Sequence, residues 1–204
     1  MENESPRTLQ EAIVHFDEYA KCHRFMLDLR WPEGTVTCPR CGSARVVYLA
    51  KPRVWKCYEA HDHAKFSLKT GTIFEDSPLP LCKWLTAVWM ITNAKNGVSS
   101  YEIHRSVGVT QKTAWFMLQR IRLAMQDGSL VKADGQVEVD ETFIGGKGTY
   151  VSVEPYHLFR YLDEQTFRFN ERKDERGDSG RFGHVMRNTT GRRLTYKKHT
   201  GKAL

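Results

Sequence analysis

The sequence predicts an α+β fold, in which a small metal-held sheet module sits between helical segments and is followed by a further strand. Three observations predict it. Cysteines and histidines concentrate between Cys38 and His63, among short β-branched runs. Apolar residues recur at helical spacing from Leu81 to Met125. The stretch "QVEVDETFIGG" then alternates valine with polar residues, as a strand does.

Residues 1–34 read as an N-terminal helix. Thr8 and Glu11 fit a capping box, and Leu9, Ile13, Phe16, Tyr19, Ala20 and Phe25 follow a helical period. The helix is expected from about Leu9 to Leu29. Pro32 and Gly34 disfavour its continuation.

Residues 35–76 read as a zinc ribbon. "CPRCGS" is a knuckle whose two thiolates can ligate one ion while the backbone turns beneath them. Cys57 supplies a third sulfur, and His61 or His63 stands where a fourth cysteine would be. The favoured set is Cys38, Cys41, Cys57 and His61, with His63 as the alternative fourth ligand. A module this short needs a metal or disulfides to stay folded. Five cysteines is an odd number, which argues against a disulfide framework. Four protein ligands leave no position for an activated water, so the zinc is expected to be structural. Strand-like pieces are "RVVYLA", "RVWKC" and "KFSLKTGTIF". Cys22 and Cys82 fall at helical positions and read as packing residues.

Residues 77–128 read as a helix-turn-helix. Trp84, Ala87, Val88, Met90 and Ile91 mark a leading helix, which "NGVSS" ends. Ser99 and Glu102 form a second capping box, opening a short helix to about Ser106. "VGVT" turns the chain, and Thr110 caps a helix through Met125. In such a pair the second helix reads DNA with its N-terminal residues. The candidate DNA contacts are Arg105, Gln111, Lys112, Thr113, Arg120 and Arg122. Trp115, Leu118 and Ile121 are expected in the core. An ordinary helical bundle with a solvated basic face has the same pattern.

Residues 129–147 hold the strand with Asp140, a carboxylate suited to Mg²⁺. Residues 148–204 read as a helix, Pro155 to Phe169, and a basic tail. The net charge is +7, and all of that excess falls from Arg168 onward, where 11 Lys/Arg face 4 Asp/Glu. Charge alone favours a solvated, partly disordered tail, with phosphate backbones as its natural partner. With 40% hydrophobic and 27% charged residues the chain suits a folded soluble protein. It lacks the ~18–20-residue apolar run that a membrane span needs, and its first residues lack an apolar signal core. No membrane partner and a cytoplasmic location are expected.

Taken in order, "LRWPEGTVTCPRCGS", "FSLKTGTIFEDSPLPLCKWLTAVW", "KNGVSSYEIHRSVGVTQKTAWFMLQRIRLAM" and "VEVDETFIGGK" resemble a family of bacterial insertion-sequence transposases. That family combines a zinc ribbon, a helix-turn-helix and a ribonuclease H-like nuclease domain of the DDE class. The resemblance implies that Asp140 is the first catalytic acid and a magnesium ligand. It implies element terminal repeats as the DNA partner, and itself or an intact transposase as an oligomeric partner. "YVSVEPYHLFRYLDEQTFRFNERK" is similar to the closing helix of the same family. The middle of the nuclease domain is therefore expected to be missing, with the join near Gly146-Lys147-Gly148, which leaves a truncated remnant of that α/β domain. Elementary chemistry agrees. Two-metal phosphoryl transfer holds its ions ~3.5–4 Å apart between several carboxylates. Only Glu138 shares the alternating face of Asp140, Glu141 falls on the other, and Asp163 and Glu164 belong to a helix. Cleavage and strand transfer are expected to be impaired or absent, and magnesium is needed only if nuclease activity survives. Two alternatives are a non-catalytic DNA-binding regulator of transposition and a non-functional pseudogene product with a poorly packed C-terminal half.

Overall fold

A computed structural model describes residues 6–126 and 155–195. The Asp140 strand, with Glu138 and Glu141, lies outside the described residues. The N-terminal stretch forms two helices, α1 (Leu9–His15) and α2 (Tyr19–Arg30), rather than the single helix expected. Thr8 caps α1 by accepting from the Glu11 amide at 3.2 Å. The return bond of the box goes one residue early, since the Glu11 carboxylate accepts from the Arg7 amide. The break falls at Phe16–Glu18. Phe16 is buried, its ring 5.3 Å from Phe25 and 5.6 Å from Phe182, so the chain bends to drop that ring into the core. Burial of one aromatic side chain outweighs the few hydrogen bonds lost at the bend.

Three short strands follow, β1 (Val46–Leu49), β2 (Val54–Cys57) and β3 (Lys65–Phe66), in an antiparallel sheet of order β1-β2-β3. Tyr48, Trp55 and Phe66 lie in register on one face. His23 of α2 stacks on Trp55 at 5.8 Å, and Trp31 lies 5.9 Å from it. "KFSLKTGTIF" was expected to be strand-like, yet only its first two residues pair with β2. The carbonyls of Leu68 and Thr70 accept from the Arg30 guanidinium instead, at 2.6 and 2.9 Å, and so leave the ladder.

The helix α3 (Leu81–Asn93) is central and packs against α1, α2, a C-terminal helix and the pair that follows it. Its buried residues, including Trp84, Leu85, Val88, Trp89 and Ile91, surround the helix. That pair is α4 (Ser100–Val107) and α5 (Gln111–Met125). Ser99 and Glu102 close a complete capping box at 3.2 and 2.8 Å. Gly108 ends α4 in the left-handed region, φ 63°, where a side chain would be strained. Thr110 caps α5. Leu118 and Ile121 are buried as expected, whereas Trp115 is only half-buried.

The C-terminal segment corrects the expectation of a solvated tail. After α6 (Pro155–Asn170) and a single 3-10 turn (Glu171–Lys173) comes an eleven-residue helix, α7 (Gly177–Arg187). Phe167, Phe182, Val185 and Met186 are buried in the same core as α3. Beyond α7 the chain bonds back to the ribbon's exit, Ile73 N–H to Thr189 O at 3.0 Å and Gly191 N–H to Gly71 O at 2.8 Å. Glycines hid α7 in the sequence by lowering helix propensity. At Gly180 an added Cβ would meet the Asp174 carboxylate, which would have to move.

Candidate metal centre and nucleic-acid interface

The knuckle places Cys38 and Cys41 on one tight turn, closed by Gly42 N–H to Cys38 O at 2.8 Å and Cys38 N–H to Ser43 O at 2.9 Å. Gly42, with φ 75°, supplies the left-handed residue that the turn demands. Cys57 ends β2, so the sheet register fixes its sulfur, and the loop that follows brings in His61. One ligand atom from each of Cys38, Cys41, Cys57 and His61 lies within 4.8 Å of the others. Cys41 Sγ and Cys57 Sγ are 3.7 Å apart, and Cys38 Sγ is 3.6 Å from His61 Nε2. Tetrahedral zinc, with bonds of about 2.3 Å to sulfur and 2.0 Å to nitrogen, sets its ligand atoms roughly 3.5–3.8 Å apart. The donor set and these separations fit that ion.

The His61 ring is oriented for such a role. Its Nδ1 lies 2.7 Å from the Asp62 carbonyl. A carbonyl can only accept, so Nδ1 carries a proton and Nε2 faces the sulfurs, where a metal ion would displace its proton and take the lone pair. The Asp62 carbonyl, and then the neighbouring thiols, raise His61 to about 9. Burial works against the Cys38 thiolate. Backbone amides of Arg40 and Cys41 and the adjacent thiols outweigh it and bring that group down to about 7. A pocket that draws a proton onto His61 and favours a thiolate also attracts a divalent cation. His63 stands apart from this cluster, exposed and with φ 58°.

Arg40, between the two knuckle cysteines, was not singled out in the sequence. Its guanidinium donates to the carbonyls of His63 and Lys65 at 2.9 and 3.1 Å, tying the knuckle to the histidine loop. Its place inside Cys-x-x-Cys was the available signal. Cys22 and Cys82 pack against each other away from the cluster, Sγ to Sγ 3.0 Å, and burial pushes the Cys22 thiol up.

The six candidate DNA contacts do not share one environment. Lys112 and Arg105 are exposed. Gln111 Nε2 donates to Ser100 Oγ at 2.9 Å, and the Thr113 hydroxyl lies 2.8 Å from that of Thr110. Both side chains therefore brace the turn between α4 and α5. Arg120 and Arg122 require correction. Arg120 clamps the carbonyls of Ile73 and Glu75 at 3.1 and 2.7 Å. Arg122 is 1% exposed, its Nε 2.6 Å from Glu164 Oε2. Arg168 holds the other carboxylate oxygen of Glu164 and donates to Ile91 O at 2.8 Å. The Arg122 guanidinium also lies over the Tyr161 ring, 4.1 Å from its centre. These two arginines serve the core, and charge alone could not distinguish them from Lys112. Asp163 and Glu164 of α6 are both buried.

Comparison with known proteins adds an independent line. Residues 18–63 match the family model of the transposase zinc-ribbon domain of the IS1595 type. The matched stretch contains all four clustered residues. A protein of Halobacterium salinarum described as "Uncharacterized protein in transposable element ISH50" is 32% identical over 133 residues. That alignment takes in 65% of this chain and 44% of the relative, so the chain spans less than half of the relative's length. No solved structure matches the chain. No helix among the described residues is long and apolar enough to cross a membrane.

Proposed function

We propose that this chain is a transposition-associated protein that binds the terminal repeats of an insertion sequence without cutting them. The observation that carries the reading is a coincidence of position: the Cys₃His cluster falls inside the stretch that matches a transposase zinc-ribbon domain. In this reading Cys38, Cys41, Cys57 and His61 hold a structural zinc ion. The ion supplies a cross-link that keeps the small sheet folded, and four protein donors leave no site for water chemistry. The α4–α5 pair acts as a helix-turn-helix, with Lys112 and Arg105 reaching the duplex and Gln111 and Thr113 setting the turn.

Non-cutting follows from the carboxylates. Asp140 is the candidate nuclease ligand and would take magnesium, but the sequence sets only Glu138 on the same alternating face. A pair of metal ions needs more oxygen ligands than these two side chains provide. The packing of α6 and α7 into the α3 core weighs against a non-functional product with a loose C-terminal half. A folded, non-cleaving protein would occupy element ends as a homo-oligomer or beside an intact transposase, and so regulate transposition.

Fluorescence anisotropy with terminal-repeat and scrambled duplexes, followed by cleavage assays in Mg²⁺ and Mn²⁺ beside Asp140→Ala, tests the reading. Preference for the repeat with no nicking by either protein is expected. Equal affinity for both duplexes would overturn end recognition, and nicking abolished in Asp140→Ala would overturn the non-cutting assignment.

A further inference from the structure

The ribbon sheet has one covered face and one open face. Trp55 and Phe66 are buried on the covered face, against His23 and Trp31, with the half-exposed Tyr48 beside them at its edge. On the open face the same register sets Val47 opposite Lys56 and Lys56 opposite Lys65. All three are exposed, and Tyr58, two residues beyond Lys56, is 57% exposed. The Lys56 ammonium lies 5.3 Å from the Tyr58 ring centre.

Like charges directly opposite one another destabilise a strand pair. Neither lysine forms an ion pair among the described residues. Between Cys38 and Phe66 there are six Lys/Arg and only two acids. Of those acids, Glu59 is taken by the Ser43 hydroxyl and the Arg45 guanidinium, and Asp62 lies in the exposed histidine loop. Arg40 adds a further cation, anchored on the Lys65 carbonyl at the edge strand. An uncompensated cation pair beside an exposed aromatic ring, on a face that nothing among the described residues covers, is suited to a polyanion.

We propose that this open face of the ribbon tracks the backbone of duplex DNA, Lys56 and Lys65 neutralising phosphates while Tyr58 and Val47 lie against the sugars. The proposal rests on the DNA-binding reading above and adds which face makes the contact. Duplex DNA is the favoured occupant because it presents one charge per about 1.7 Å of axis, so paired lysines meet phosphates without a matched pattern. An acidic protein would have to place two carboxylates at the strand spacing.

The test is anisotropy of the zinc-loaded full chain on duplex DNA across a salt series. It compares wild type, Lys56→Ala with Lys65→Ala, and a control with the same kind of charge loss on the exposed hairpin turn, Lys51→Ala. Each phosphate contact contributes about 0.9 to the slope of log affinity against log salt. The double variant should lower the slope by about 1.8, so that wild type loses roughly tenfold more affinity between ~50 and ~200 mM salt. Lys51→Ala should stay near wild type. Lys65→Glu should weaken binding further while raising the thermal midpoint, since it turns a repelling pair into an attracting one. An unchanged slope in the double variant, with wild type binding well, would overturn this face alone. A wild type that binds no duplex would overturn the functional reading and the proposal with it. Polyglutamate binding with the same lysine dependence as DNA would overturn the choice of occupant.

Discussion

Glu164 shows how much a single buried charge depends on its neighbours. Burial alone would raise its pKa, but the guanidiniums of Arg122 and Arg168 outweigh burial and leave the carboxyl below the usual glutamate range. A depressed carboxylate contributes stability that is fully present above the unfolded value, about 4.3, and is lost as pH falls through the folded value. The thermal midpoint should therefore hold steady from pH 7 to about 5 and drop below about 4.3, a loss that Glu164→Gln should largely remove. At pH 7 the same substitution should cost about 3–5 kcal/mol, because it strands two guanidiniums in the core. Calorimetry of both proteins across that pH range would check the pair of statements. A flat profile in the wild type would show that the ion cluster contributes nothing to acid stability.

Among the helices, α7 carries the clearest consequence. The Phe182 ring lies 5.1 Å from Trp89, 5.6 Å from Phe16 and 5.8 Å from Phe25, so one C-terminal side chain joins α1, α2 and α3. Phe182→Ala should destabilise the whole helical core by about 3–5 kcal/mol. Denaturant unfolding followed by tryptophan fluorescence would measure it, and a change near zero would return α7 to the status of a loose appendage. The capping boxes behave differently. Ser99 and Glu102 were legible because both hydrogen bonds close within four residues. The break between α1 and α2 was not, because the core that buries Phe16 includes Phe182, far away along the chain.

The molecule joins two stabilising devices, a metal-held sheet and an apolar helical core, through the His23–Trp55 stack and the Arg30 clamp on the ribbon's exit loop. Chelation should therefore act unevenly. Hydrogen exchange after treatment with a zinc chelator should lose protection across residues 36–66, while the buried residues of α3 and α5 keep theirs. Collapse of protection everywhere at once would mean that the helical core cannot stand without the ribbon. Coupling through α2, whose His23 stacks on Trp55, predicts partial loosening of that helix.

Local chemistry made the cysteine knuckle, the caps and the run of helices from α3 to α5 readable from the residues in sequence. Cap partners, and the ligands within each metal-binding pair, sit a few positions apart, so their spacing survives in the linear chain. Long-range packing settled the rest. Arg122 and Lys112 carry the same charge on one helix, yet Glu164, forty-two residues on from Arg122, places the first in the core and leaves the second in solvent. The C-terminal run looked like a phosphate-seeking tail until its apolar residues met Phe16, Phe25 and Trp89. Net charge is additive along a chain, whereas burial depends on which distant surfaces close over each residue, and no local pattern encodes that closure.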